Sequence, residues 1–217
     1  MGAETTGLRE AKKQETRQLI SDHATRLFMA RGFEDTTIAE IAAAARVAKK
    51  TVTNYFARKE DMALDHQDAF VTAPARAVAD RRPGESALAA LRRAFDADLE
   101  RRSPVAGFAG PRFTRMIADS PTLTARLRDL HDQREDALAR ALAEATGAGP
   151  DDITPAAVAA QLGAAHRLLF RRIQDLTLAG ATDDAIARAV AEDARRVFAL
   201  LEPALGDYAT APASRRP

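Results

Sequence analysis

The stretch that decides the fold is Thr37-Ile-Ala-Glu-Ile-Ala-Ala-Ala-Ala45, which Arg46 and Val47 join to Ala48-Lys-Lys-Thr-Val-Thr-Asn-Tyr-Phe-Ala57. Thr37 and Glu40 have the spacing of a capping box, so a short helix is predicted from Thr37 to Ala45. A second short helix is predicted over Ala48–Ala57. Because so few residues separate the two helices, they must meet at a sharp angle, as in a helix-turn-helix.

Apolar residues on both short helices recur at helical spacing, which indicates that one face of each packs on the preceding helix, predicted over Thr16–Arg31. The inward stripes are Ile38, Ile41, Ala42 and Ala45, then Val47, Val52 and Phe56. Burial of these stripes exposes the opposite face of the second helix, which carries Lys49, Lys50, Thr51, Thr53 and Asn54. Lysine neutralises phosphate or bonds guanine, asparagine bonds an adenine edge, and threonine contacts phosphate or the thymine methyl group. This face is therefore suited to DNA.

The segment from Arg17 to Met62 resembles the DNA-binding domain of the tetracycline-repressor (TetR) family. The resemblance rests on Gly32-Phe33, on the stretches quoted above and on Lys59-Glu60. It implies a three-helix domain that binds DNA through residues on and around the second short helix, namely Arg17, Thr36, Thr37, Arg46, Lys49, Lys50, Thr51, Thr53, Asn54, Tyr55 and Lys59. Arg46 and Lys50 replace the family's usual glycines and Thr53 its usual tyrosine, so the operator sequence stays open. The alternatives are a solvated charged surface for the lysine pair and a core position for Tyr55.

Start and stop signals divide the chain into about nine helices without a strand, so an all-α fold is predicted. Beyond the helix-turn-helix, the predicted helices span Lys59–Asp80, Glu85–Arg102, Pro104–Ala118, Pro121–Thr146, Pro155–Ala179 and Asp183–Leu205. Ser103, Ser120 and Thr154 are predicted N-caps, and Pro111 should kink or break its helix. The expected domains are a flexible tail over 1–15, the DNA-binding domain over 16–58, a ligand-binding and dimerisation domain over 59–205 and a second flexible tail over 206–217.

The last two helices carry apolar stripes that predict an antiparallel hairpin, which can pair with a second copy of the chain as a four-helix bundle. The expected interface residues of this homodimer are Leu162, Leu169, Ile173, Val190, Val197 and Leu201. The alternative is that both stripes are buried against the chain's own helices. A symmetric dimer presents two recognition helices about one DNA turn apart, which suits a palindromic operator.

The family resemblance also implies a small-molecule pocket enclosed by the helices between Glu85 and Thr146. The candidate lining residues are Phe95, Phe108, Phe113, Met116, Leu127, His131 and His166. Candidate polar contacts, which would suit an acidic or acyl-type ligand, are Arg112, Arg115 and Arg171. The alternative for each of these residues is an ordinary position in the core or, for the arginines, on the surface.

Composition and motifs exclude several other classes of protein. The 217 residues include no cysteine, and no apolar run is long enough to span a bilayer. The charged N-terminus lacks the apolar core of a signal peptide, so a cytoplasmic location is expected. The histidines lie far apart, and no metal-binding, nucleotide-binding or catalytic motif is present, so neither enzyme activity nor a cofactor or metal is expected.

The sequence thus predicts a homodimeric repressor that binds a palindromic double-stranded operator and is released by an unknown small-molecule effector. The alternative is a protein of the same fold that activates transcription, or a sensor that has lost DNA binding.

Overall fold

The computed structural model describes residues 2–65 and 67–212, without the side chains of residues 2–8 and 10. This part of the chain forms ten α-helices and no strand, which confirms the all-α prediction. The helices are α1 (Gly2–Arg31), α2 (Ile38–Ala44), α3 (Lys49–Tyr55), α4 (Glu60–Ala63), α5 (Gln67–Ala79), α6 (Ala87–Glu100), α7 (Pro111–Asp119), α8 (Pro121–Thr146), α9 (Thr154–Leu178) and α10 (Asp183–Leu205). Within the described ranges, none of them is long and apolar enough to cross a membrane.

The chain forms two compact units. The first unit comprises residues 1–67 and 115–126, and the second comprises residues 68–114 and 127–217. Helix α8 contributes its first residues to the first unit and the remainder to the second.

The first unit is organised around α1, which packs on α2 and α4, while α2 packs on α3. Its core contains apolar residues from all three helices of the predicted domain, including Ile20, Phe28, Ile41 and Val52. The capping box forms as predicted, because the Glu40 amide donates to Thr37 Oγ1 (3.2 Å) and the Thr37 amide donates to Glu40 Oε2 (2.8 Å). The helix-turn-helix predicted from residues 37–57 is therefore present.

Several helix boundaries differ from the predicted ones. Helix α1 begins at Gly2 rather than Thr16, so it includes residues expected to form a flexible tail. The helix expected over Lys59–Asp80 stops after Ala63 and resumes at Gln67 as α5. The Ser120 cap is confirmed by a bond from the Leu123 amide (3.1 Å). Helix α9 starts at Thr154, whose amide donates to the Asp152 carboxylate (2.8 Å), so Thr154 is not its N-cap.

The segment between α6 and α7 was expected to be helical from Pro104 but contains turns. Gly107 has a left-handed φ of +125°, and a Cβ at this position would lie 3.1 Å from the Phe170 carbonyl oxygen. This close approach of two backbones requires glycine. Helix α7 begins at Pro111, where a kink or break was predicted.

The core of the second unit includes most of the residues predicted to form the dimer interface. Leu162, Leu169 and Ile173 of α9 and Val190 of α10 are almost fully buried there, and Val197 and Leu201 are partly buried against the same core. The first four of these residues are thus covered by the chain itself, which agrees with the alternative stated above, and their role in a dimer interface stays a prediction. An apolar stripe marks the side of a helix that is covered, but its spacing does not say whether the same chain or another copy covers it.

Residues 206–212 were expected to be part of a flexible tail but are hydrogen-bonded to the start of α6. Gly84 donates to the Ala211 carbonyl (3.0 Å), the Ala211 amide donates to the Glu85 carbonyl (2.9 Å), and Ala87 donates to the Tyr208 carbonyl (3.2 Å). The rest of the predicted tail, residues 213–217, lies outside the described residues.

Candidate nucleic-acid interface and internal cavity

The exposed side of α3 and the turn before it carry Arg46, Lys49, Lys50, Thr53 and Asn54, which we call the recognition surface. All five residues are exposed, whereas Val52 and Phe56 on the opposite side are buried. Arg46, Lys49 and Lys50 form no ion pair with any residue in the described ranges, so their charges face solvent. Thr51 and Tyr55 are partly buried at the margin of this surface, and Thr37 is exposed at the start of α2.

Arg46 occupies the turn between α2 and α3 in a left-handed conformation, with a φ of +55°. Such a conformation costs a residue other than glycine about 1–2 kcal/mol. The chain therefore places a cationic side chain at a position where the backbone geometry favours glycine.

Arg17, one of the predicted DNA contacts, is instead bonded inside the first unit. Its guanidinium donates to the Tyr55 carbonyl (3.0 Å) and to Asp65 Oδ1 (2.6 Å), and it lies over the Phe56 ring at 4.3 Å. These contacts use the guanidinium to hold the end of α3 against α1, and a contact between Arg17 and DNA stays a prediction.

Lys59 and Thr36 are likewise bonded within the first unit, and their contacts with DNA stay predictions. The Lys59 ammonium donates to the carbonyls of Phe33 (2.8 Å), Glu34 (3.2 Å) and Thr36 (3.1 Å), which uses the three N–H groups that lysine has. The Thr36 side chain is buried, and its hydroxyl donates to the Gly32 carbonyl (2.8 Å). Both side chains use their donors within the protein, so both stabilise the loop between α1 and α2.

Residues 115–126 are held in the first unit by two polar contacts. Arg126 donates to Asp61 Oδ1 (3.0 Å from Nη2 and 3.1 Å from Nε) and to Gln67 Oε1 (2.7 Å), and the two charged side chains are only 12% and 11% exposed. Ser120 Oγ donates to Glu34 Oε1 (2.5 Å), and this bond lowers the pKa of Glu34.

The second unit contains a narrow cavity of about 20 Å³, which has room for one or two water molecules and opens to the surface. Its apolar walls include Pro74 of α5, Leu91 and Phe95 of α6, and Phe170 of α9. Its polar lining residues are Asp98 of α6, His131 and Arg134 of α8, and His166 of α9.

The structure brings together some of the predicted pocket residues and not others. Phe95, His131 and His166 line the cavity. Phe108 is buried in the surrounding core, and Phe113, Met116 and Leu127 are partly buried away from the lining. Arg112, Arg115 and Arg171 are exposed and do not line it. Sequence reasoning missed Arg134, although its spacing of three residues from His131 places both on one face of α8.

The two histidines of the cavity are neutral at pH 7. The His131 ring packs edge-on against Phe70 (5.0 Å) and Phe170 (5.2 Å), and burial, with nearby arginines, lowers its pKa to about 4. Burial likewise lowers the pKa of His166 to about 4, and its Nδ1 donates to the Leu162 carbonyl (2.9 Å). Burial also lowers the pKa of Arg134, to about 10, so this arginine stays cationic.

These features define a helix-turn-helix DNA-binding protein with a second helical unit that contains a cavity. Residues 20–65 match the family model described as bacterial regulatory proteins of the tetR family. The HTH-type transcriptional regulator TcmR of Streptomyces glaucescens is 33% identical over 171 residues, which are 76% of this chain and 76% of TcmR. The chain therefore belongs to the TetR family of transcriptional regulators, as predicted from residues 17–62, rather than to a class of enzymes.

Solved structures share this fold at low sequence identity. NalD, the secondary repressor of the MexAB-OprM multidrug efflux pump in Pseudomonas aeruginosa, is 18% identical with a TM-score of 0.55, over 85% of this chain and 97% of NalD. SmeT in complex with triclosan is 19% identical with a TM-score of 0.54, over 94% of this chain and 98% of SmeT.

Proposed function

We propose that the chain is a homodimeric repressor that binds a palindromic operator through its recognition surface and is released when a small molecule occupies the cavity. The observation that carries this proposal is the contrast between the exposed charges of Arg46, Lys49 and Lys50 and the fully engaged charges of Arg17 and Lys59 beside them. Two structural relatives support it, since NalD is a repressor and SmeT was solved with a bound small molecule.

DNA binding is tested by fluorescence anisotropy with a labelled duplex taken from upstream of the chain's own gene. Lys50→Ala should weaken binding and lower the slope of log K against log salt by about one unit, because one phosphate contact and its released counterion are lost. Arg140→Ala removes an exposed cation of α8 and serves as the matched control. Unchanged affinity of Lys50→Ala would place Lys50 outside the interface.

We place the dimer interface on the outer face of α9 and α10, in place of the buried residues expected from sequence. Leu168 is 57% exposed and Leu200 is 80% exposed. Arg172 and Asp193 pair across the two helices at 3.1 Å. Leu168 lies four residues before Arg172 on α9, and Leu200 lies seven residues after Asp193 on α10. Both leucines are therefore on the same face of their helices as this ion pair.

The dimer is tested by light scattering coupled to size exclusion. The wild-type particle should have twice the 23.4 kDa mass of one chain, and Leu168→Arg with Leu200→Arg should give a single chain. Ile153→Arg changes another exposed apolar residue, 77% exposed, and should leave the dimer intact. A wild-type particle with the mass of one chain would contradict both the proposed interface and the proposed binding to a palindromic operator.

Release is proposed to act by a shift between two conformations of the dimer, only one of which matches the spacing of the operator half-sites. Helix α8 contains both Arg126, which is bonded to Asp61, and the cavity residues His131 and Arg134. A ligand that contacts the cavity thus acts on a helix that also belongs to the first unit. A coupling of about 1–3 kcal/mol would weaken operator binding about 5–150-fold. The alternative, activation, is distinguished by a reporter gene with and without the regulator.

A further inference from the structure

We infer that the cavity of the second unit binds an anion, specifically an aromatic ligand with one acidic group whose negative charge pairs with Arg134. This inference rests on the proposed function, because it names the chemical class of the ligand that would fill the cavity.

Arg134 lines the cavity without a counter-ion. Its Nη1 donates a long hydrogen bond to the Val105 carbonyl (3.4 Å), and its guanidinium lies 4.5 Å from the centre of the Phe70 ring. Its Nε is buried and has no hydrogen-bond partner within the described part of the chain. Arginine has five N–H donors and buried charges are normally paired, so most of the binding capacity of this side chain is unused.

The carboxylates nearest to the cavity are already bonded to other arginines. Asp98 lines the cavity, but its Oδ1 accepts from Arg101 at 2.9 Å. Glu135 lines an adjoining recess together with Arg134, but its Oε2 accepts from Arg167 at 2.7 Å. Asp98 helps to keep Arg134 protonated, yet neither carboxylate forms an ion pair with it. The positive charge therefore remains available to a ligand.

Two other arginines have a buried Nε without a partner, and their surroundings differ from those of Arg134. Arg81 donates through Nη1 to the Val78 carbonyl at the end of α5. Arg102 donates to the Leu99 carbonyl (2.7 Å) and to Asp184 (2.8 Å). Both side chains are bonded at a helix end, and neither lines the cavity.

The remaining walls specify the rest of the ligand. Phe95, Phe170 and Pro74 present flat apolar surfaces that suit an aromatic ring system, and these side chains must move apart to admit it, because the cavity is narrow. His131 and His166 are neutral, so Arg134 supplies the positive charge of the lining. Because His166 donates through Nδ1 to the Leu162 carbonyl, its Nε2 is an acceptor that can receive a hydroxyl group of the ligand.

The test uses two fluorescent probes with the same aromatic rings. The first is 8-anilinonaphthalene-1-sulfonate, which is always anionic, and the second is N-phenyl-1-naphthylamine, which lacks the sulfonate. Arg134→Met should weaken binding of the sulfonate at least tenfold and change binding of the neutral probe less than threefold. Arg134→Lys, which keeps the charge, should restore part of the sulfonate affinity.

Two further variants locate the site. Ala94→Phe fills the cavity and should weaken both probes, whereas Arg140→Met, an exposed arginine of the same helix, should bind both probes like wild type. The inference is overturned if Arg134→Met binds the sulfonate as wild type does, or if Ala94→Phe leaves both probes unaffected.

Folding of the Arg134→Met variant is measured by thermal unfolding without any probe. The melting temperature should be unchanged or higher, because an unpaired buried charge has been removed. A lower melting temperature together with equal loss of both probes would make Arg134 a purely structural residue and would overturn the inference.

Operator release is measured separately, so that the two proposals fail independently. If the sulfonate binds through Arg134 while operator affinity is unaffected by an anion in the cavity, the anion site stands and the release mechanism is wrong. If wild type binds the operator but Arg134→Met and wild type bind the sulfonate equally, DNA binding stands and the anion inference falls.

Discussion

The engaged cations of the first unit contrast with Arg134 of the second. In the first unit, Arg17, Lys59 and Arg126 donate to carbonyls or carboxylates at 2.6–3.2 Å, so their charges hold helices and loops in place. In the second unit, Arg134 has one long bond and a ring contact. A paired cation fixes the geometry of the domain that presents the recognition surface. The unpaired charge of Arg134 is available to bind a ligand in the cavity.

The largest expected effect is on the stability that the paired cations give to the first unit. Arg126→Met leaves Asp61 buried without its partner and should lower the free energy of unfolding by about 3 kcal/mol. Urea unfolding followed by far-ultraviolet circular dichroism measures the loss. Adding Asp61→Asn removes the second charge and should recover more than half of it. A loss below about 0.5 kcal/mol, typical of a surface position, would mean that the pair does not hold residues 115–126.

The next effect concerns pH and the cavity histidines. The folded pKa of His166 is about 4 against an ordinary value of 6.5, so the unfolded chain binds the proton first as pH falls. The free energy of unfolding therefore does not depend on the protonation of His166 above pH 6.5. It falls as the pH drops from 6.5 to 4, and this residue accounts for a decrease of about 2 kcal/mol between pH 7 and pH 5. Urea unfolding of wild type and His166→Gln at both values measures this loss. The variant should lose about 2 kcal/mol less than wild type, and equal losses would contradict a buried neutral imidazole.

A smaller effect separates the two roles of lysine in the first unit. Lys59→Met removes three bonds to carbonyls and should lower the free energy of unfolding by about 1.5 kcal/mol, while operator affinity of the folded protein stays within about threefold. Lys50→Met should show the reverse, with stability unchanged within about 0.5 kcal/mol and weaker DNA binding. Unfolding curves and anisotropy titrations on both variants decide the matter. Equal behaviour of the two lysines would contradict the contrast between engaged and exposed charges.

The smallest effect tests the strained turn. Arg46→Gly should raise the free energy of unfolding by about 1 kcal/mol, because glycine adopts the left-handed conformation freely. The same change should weaken DNA binding a few-fold, since it removes an exposed cation from the recognition surface. Arg46→Ala serves as the control, because it removes the charge and keeps the backbone cost. Higher stability with unchanged affinity would remove Arg46 from the proposed interface.

Features encoded by neighbouring residues were predictable from sequence. The capping box at Thr37 and the burial of Ile41, Val52 and Phe56 follow from spacings of a few residues, and the structure contains them. Partners far along the chain were not predictable. Arg17 meets the Tyr55 carbonyl and Asp65 only after α1, α3 and α4 have packed, so its sequence position alone suggested a DNA contact.

The cavity shows a second limit of sequence reasoning. Its histidines stood out because histidine is rare in this chain, whereas Arg134 is one of many arginines on helices and such residues are usually exposed. The apolar stripes show a related limit, since they predicted that Leu162 and Val190 are covered, but their spacing did not indicate that the chain's own helices cover them. In both cases the packing of distant helices decides the role of the residue.

The pairing of residues 208–211 with residues 84–87 has a practical consequence for work on this protein. The last described turns of the chain hold the beginning of α6, the helix that supplies Leu91 and Phe95 to the cavity wall. A truncation after Leu205 would remove the backbone hydrogen bonds that hold the beginning of α6, and a purification tag that displaces residues 208–211 would break them. Assays of effector binding are therefore best run on protein that keeps residues 206–212, with its affinity tag placed away from them.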